Sequence, residues 1–158
     1  MASAVDALTV TRELQIDASP ETVWEFLVDP EKLNRWIGES AELDPQPGGI
    51  YRVVVLPTNI ARGEFVEVDP PRRLVLTWGW EASRASSAGG VIPPGGSTIE
   101  FELEPSRGGT LLRFTHRDLQ TVESAESHGH GWDHYLGRLA VAVPGGDPGR
   151  DPWLDGMS

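Results

Sequence analysis

The chain has 158 residues, a formal charge of -11 at pH 7 and no cysteine. That length suits one domain able to enclose a core or cavity, while the acidic balance, with no cluster of Lys and Arg to offset it, opposes binding to nucleic acid or a membrane surface. The missing thiols exclude disulfides, thiolate metal sites and cysteine nucleophiles.

Met1 to Ala7 lack the basic start and apolar centre of a secretory signal, and no apolar run nears the ~20 residues of a spanning helix, so a cytoplasmic setting is expected. Leu8 to Asp17 alternate, with Val10, Leu14 and Ile16 on one side, which predicts a half-buried strand in which Arg12 is discordant. Ser19-Pro20-Glu21 supplies an N-cap, a proline in the first turn and an acid at the positive end of a helix dipole. Val23, Trp24, Leu27 and Val28 give that short helix its apolar stripe. Asp29-Pro30-Glu31 repeats the signature and starts a second short helix carrying Leu33, Trp36 and Ile37.

From Ser40 to His116 strands and turns follow one another. Ile50 to Leu56 has a β-branched centre, and Gly63 to Val68 alternates until Asp69-Pro70-Pro71 stops it. Leu74, Leu76, Trp78 and Trp80 are expected on one face of the next strand. Ile99, Phe101 and Leu103 line a face of another, opposite Glu100, Glu102 and Glu104, which read as a solvated side. Arg107-Gly108-Gly109 turns the chain into Leu112, Phe114 and His116. These short strands predict an antiparallel meander.

Between Glu81 and Gly96 the composition is Ser, Ala, Gly and Pro, expected to form a mobile flap or disorder. The period then becomes helical: Trp132, Leu136, Leu139 and Val143 share a face until Pro144-Gly145-Gly146 ends the helix. The fold class is therefore α+β, a curved antiparallel sheet wrapped around a long C-terminal helix. One domain is expected over residues 8–143, with residues 1–7 and 144–158 as flexible or surface-packed tails. Such a concavity needs large inward side chains, and the six tryptophans outnumber both Phe and Tyr. They either fill the core or line a ligand cavity.

Several stretches carry a resemblance. Ile16-Asp17-Ala18-Ser19-Pro20 with Val23-Trp24, then Asp29-Pro30-Glu31-Lys32-Leu33 and Trp36, resembles the opening of the START-like (SRPBCC) helix-grip superfamily. Gly48-Gly49-Ile50-Tyr51, the run Gly63 to Leu74, Gly109 to His116, and His130-Gly131-Trp132 with Tyr135-Leu136 are similar to its subgroup named after the activator of the heat-shock-protein-90 ATPase. The resemblance implies a β-α-α-β6-α helix grip around a hydrophobic cavity. Superfamily members include ligand carriers, cyclases, lipid-transfer domains and a chaperone activator, so the fold does not choose among activities.

Among candidate chemistries, His128, His130 and His134 are the obvious metal set, but Gly131 stands where a protease motif needs Glu and no further ligand is offered, so solvated histidines at the helix entry are expected. Ser83, Ser86, Ser87 and Ser97 lie in loop-like composition, and no catalytic residue, cofactor or metal site is assigned. The resemblance places His116 toward the pocket, where it is either a polar handle or acid-base group for a ligand or a core histidine bonded to a backbone carbonyl. Trp36, Trp78, Phe101, Phe114, His116 and Trp132 are the expected ligand-binding residues. Three functions stay open: a non-catalytic binder of a small hydrophobic or aromatic molecule, a cyclase- or hydrolase-like enzyme, and an interaction module that contacts a chaperone or forms a homodimer through a sheet edge or the Trp153 tail.

Overall fold

The computed structural model describes residues 8–82 and 92–155. Strand β1 (Val10–Ile16) opens the domain, followed by helices α1 (Pro20–Val28) and α2 (Pro30–Leu33). Each helix starts as the sequence requires: Ser19 Oγ accepts from the Thr22 N–H, and the Asp29 carboxylate accepts from the Glu31 and Lys32 N–H groups. These caps satisfy donors that the first turn leaves free.

Strands β2 (Ser40–Leu43), β3 (Ile50–Leu56), β4 (Asn59–Asp69), β5 (Arg73–Trp78), β6 (Trp80–Ala82), β7 (Ser97–Ser106) and β8 (Gly109–Arg117) follow, then helix α3 (Val122–Ala142). The sheet is antiparallel in the order β1-β8-β7-β5-β4-β3-β2, with β6 paired to β4 off that path. This is the curved, unclosed sheet and long C-terminal helix of the helix grip. The single strand expected over Leu74 to Trp80 is broken at Gly79, which is why β6 is a separate element. A Cβ at Gly79 would collide with the Pro93 carbonyl, so only glycine lets the 92–94 backbone cross so closely. The Trp80 N–H donates to Ile92 O at 2.8 Å, and Ile92 is fully buried. Ile92 therefore anchors this end of the expected flap in the core, while residues 93–95 are exposed; the rest of it, 83–91, lies outside the described residues.

The inward face of each strand feeds one core. Tyr51, Val53 and Val55 alternate inward on β3, as do Ser97, Ile99, Phe101 and Leu103 on β7. On the outward face the acids are matched by arginines. Arg73 bonds Glu100 at 2.6 Å and Glu67 at 3.2 Å, and Arg117 reaches Glu100 at 2.7 Å. Burial alone would raise the Glu100 pKa, but hydrogen bonds from Arg117 and Arg73 outweigh it and the net shift is downward. The discordant Arg12 has its own reason: its guanidinium spans to Asp133 on α3, at 2.6 and 3.2 Å, and ties the edge strand to the helix.

Helix α3 starts at Val122, capped by Thr121, earlier than the expected entry near His128. After it, Gly145 takes φ 105° and the Gly146 N–H returns to Val141 O at 3.0 Å. The described part of the C-terminal tail is surface-packed. Arg138 donates to Trp36 O, Pro148 O and Gly149 O, and the Trp153 ring stacks on His134 at 3.9 Å and 8°.

Candidate functional site

Five of the six expected ligand-binding residues converge inside the grip. Trp78 of β5 packs on Trp132 of α3 at 5.3 Å and on His116 of β8 at 6.0 Å between ring centroids. Phe114 lies 4.7 Å from Trp132 and 5.3 Å from Phe101. Trp36 stands apart from this network. It is buried in the turn that follows α2 rather than on the helix expected to carry it, and its indole N–H donates to Phe26 O at 2.9 Å.

Tyr51, Trp80, His128, Ser97 and Ser124 join the five, and the sequence reading assigned none of them to the site. Tyr51 and Trp80 pack against Trp78 at 6.0 and 5.3 Å. Tyr51 was legible through its alternation with Val53 and Val55, and His128 through the four-residue ladder Ser124-His128-Trp132-Leu136, once the helix is known to begin at Val122. His128 is accordingly not a solvated entry residue. Ser97 is not a loop serine either: it is the first residue of β7 and only 1% exposed. Ser83, Ser86 and Ser87 lie outside the described residues.

A continuous hydrogen-bond chain fixes these groups. The Trp132 indole N–H donates to His116 Nδ1 at 3.0 Å, so that nitrogen carries no proton. His116 Nε2 must then hold the proton of the neutral ring, and it donates to Ser97 Oγ at 2.8 Å. Ser97 in turn donates to Trp78 O at 2.7 Å. A second, shorter chain runs beside it: the Trp80 indole N–H donates to His128 Nε2 at 3.1 Å, and His128 Nδ1–H donates to Ser124 O at 2.8 Å. The two imidazoles meet edge to face, 5.1 Å apart.

Burial disfavours the charged form of both rings. It pushes the His116 pKa well below the ordinary histidine value, with a further push from His128, and it lowers His128 against the opposing pull of the Ser124 carbonyl. Burial also raises the Tyr51 phenol, which stays protonated. His116 is thus a bonded core histidine, although side chains rather than a backbone carbonyl hold it. With both nitrogens engaged and the ring held neutral, neither a free lone pair nor a labile proton is offered to a reacting group.

Trp78 contrasts with the tryptophans around it. Trp36, Trp80 and Trp132 each place their indole N–H on an acceptor, whereas Trp78 Nε1 is buried with no partner among the described residues. Leaving such a donor unpaired costs on the order of 1–3 kcal/mol.

Two other features lie away from this cluster. His130 and His134 face the tail, where both stack on Trp153 and His134 bonds the Asp151 carboxylate at 2.8 Å. Among the described residues no three His, Asp or Glu side chains gather into a metal-binding group. An open polar groove between α2 and the tail is lined by Asn34, Arg35, Glu39, Arg138 and Arg150, so it mixes both signs of charge.

Residues 17–143 match the family model described as activator of Hsp90 ATPase homolog 1-like protein. The solution structure of an AHSA1-like protein from Rhizobium etli is 46% identical over 92% of this chain and 87% of that one, with a TM-score of 0.71. The solution structure of CalU16 from Micromonospora echinospora is 27% identical over 95% and 73%, with a TM-score of 0.73. DynU16, a protein in the dynemicin biosynthetic locus, shares the fold at 21% identity and a TM-score of 0.75 over 91% of this chain and 50% of its own. No curated protein matches the chain. No described helix is long and apolar enough to cross a membrane.

Proposed function

We propose, from the premise that the chain belongs to the activator of Hsp90 ATPase homolog 1-like family of the SRPBCC superfamily, that it binds a small, largely apolar molecule in the interior of the grip. Trp78, Phe101, Phe114 and Trp132 supply the apolar contacts. His116 acts as a positioning residue by holding the Trp132 ring in place. The observation that carries this reading is the Trp78 indole N–H, a buried donor with no partner among the described residues, beside Trp80, Trp132, His116 and Ser97, whose polar atoms are engaged. An interior built only to be filled gains nothing from such a donor.

Binding is favoured over the cyclase- or hydrolase-like alternative because His116, the natural acid or base of the site, has both nitrogens engaged. The interaction-module alternative has less support: the large exposed apolar side chains among the described residues, Val66, Val122 and Val141, are scattered along β4 and the two ends of α3.

Native mass spectrometry of the purified chain, combined with tryptophan fluorescence titration, tests the proposal. A co-purified adduct, or saturable quenching that is lost in Trp132→Ala, is expected. A chain that is mass-silent and unresponsive to apolar aromatic probes would sink it.

A further inference from the structure

We propose that the open groove between α2 and the C-terminal tail binds a small zwitterion, a molecule with a carboxylate, an ammonium group and a short apolar body, of which a free amino acid is the simplest case. The groove shares no residue with the aromatic interior, and its volume of about 670 Å³ suits a small molecule. The pairing of the arginines singles it out. The chain has 24 Asp and Glu against 13 Lys and Arg, so an arginine readily finds a carboxylate. Among the described residues every arginine except Arg35, Arg107 and Arg138 is ion-paired. Arg107 sits at the tip of the β7–β8 hairpin, whereas Arg35 and Arg138 line this one groove.

The fold fixes these charges without cancelling them. Arg138 is held by backbone carbonyls, those of Trp36 at 3.1 Å, Pro148 at 3.3 Å and Gly149 at 2.9 Å. Carbonyls orient the guanidinium, keep its full charge and leave some of its N–H bonds free. Arg35 follows α2, and Gly38, at φ 80°, then turns the chain so that the Glu39 N–H bonds Val54 O at 2.8 Å. The pairing that a continuous helix would allow between positions 35 and 39 is therefore not made. Glu39 lies near Arg150 without an ion pair, since Arg150 clasps Asp155 through two bonds of 3.2 Å. Asp147 accepts the Gly149 N–H at 2.8 Å, and no basic side chain pairs with it among the described residues. Arg35 and Arg138 thus share one groove with Glu39 and Asp147, beside the apolar Val55 and Leu154. A zwitterion gains charge-assisted bonds at both poles, and with no net charge it is not repelled by the -11 of the chain. A simple anion would meet the arginines but also the two acids, and a simple cation the reverse.

The test is an NMR titration of the isotope-labelled full chain with leucine, with N-acetyl-leucine, which lacks the ammonium, and with leucine methyl ester, which lacks the carboxylate. Leucine should give saturable shifts of the Gly146 and Gly149 amides, and each half-charged analogue should bind about five-fold more weakly. Arg35→Gln should weaken leucine and N-acetyl-leucine by about the same factor and leave the ester no weaker. Glu39→Gln should weaken leucine and the ester and leave N-acetyl-leucine no weaker. Arg107→Gln, at the hairpin tip, should change none of them. Equal affinities for the three, either analogue binding tighter than leucine, shifts confined to the interior indole N–H groups, or no saturable shift at the groove would each overturn the proposal.

Discussion

Trp132 Nε1 lies 3.0 Å from Nδ1 of His116, and that bond decides the state of the whole interior chain. The indole can only donate, so Nδ1 must accept, Nε2 must carry the proton, and Ser97 must take it. One tryptophan thereby fixes the tautomer of a histidine sixteen positions earlier, while burial holds the imidazole neutral.

Acid should unfold this domain earlier than its carboxylates alone would require. Burial lowers the pKa of His116 and His128 in the fold, while the unfolded chain titrates near the ordinary 6.5. Below about that pH the unfolded state binds more protons than the native state, so stability falls as pH falls. The slope approaches about 1.4 kcal/mol per pH unit for His116, whose pKa lies well below the ordinary value, and His128 adds to it in the same direction. Above that pH the two residues add no pH dependence. Urea unfolding between pH 8 and pH 5 should show the decline, and His128→Gln should make it shallower. A flat profile would contradict neutral burial of the pair.

Ser97→Ala should cost about 1–3 kcal/mol, because it removes both the acceptor of the His116 Nε2 proton and the donor to Trp78 O. Once His116→Leu has removed that proton, the same serine substitution should cost less. A double-mutant cycle by denaturant unfolding should therefore show coupling of about 1 kcal/mol or more. Additive costs would mean that the 2.8 Å contact between Ser97 and His116 contributes no coupled stability.

Gly131 and Gly137 lie within α3, and a Cβ at either would meet nothing within 4 Å. Replacing each with Ala should stabilise the protein by about 0.5–1 kcal/mol by restricting the unfolded chain and favouring the helix. Gly129→Ala should gain less, since its Cβ would press on the Arg12 guanidinium at 3.2 Å and on Val10 at 3.7 Å. Thermal unfolding of the three variants should rank Gly129→Ala last. The reverse order would show that β1 and α3 have room to part.

Much of the fold was legible because its signals are local. Ser19 and Asp29 announce two helix starts, alternation places Val53, Phe101 and Phe114 inward, and Trp132, Leu136 and Leu139 mark the buried face of α3. Where local signals misled, a distant backbone had intervened. Gly79 breaks a strand because residues 92–94 cross over it, and Ser97 looked like loop only because its apolar partners on β7 come after it.

The sequence pattern determined which of the large rings point inward. Only the tertiary structure decided what their polar atoms do. The Trp80 indole finds His128 and the Trp132 indole finds His116 across intervals of 48 and 16 residues, while Trp78 Nε1 finds no acceptor among the described residues. Periodicity reports which face a side chain occupies. Whether an N–H meets an acceptor depends on the packing of β5, β6, β8 and α3 against one another, which no single stretch of sequence encodes.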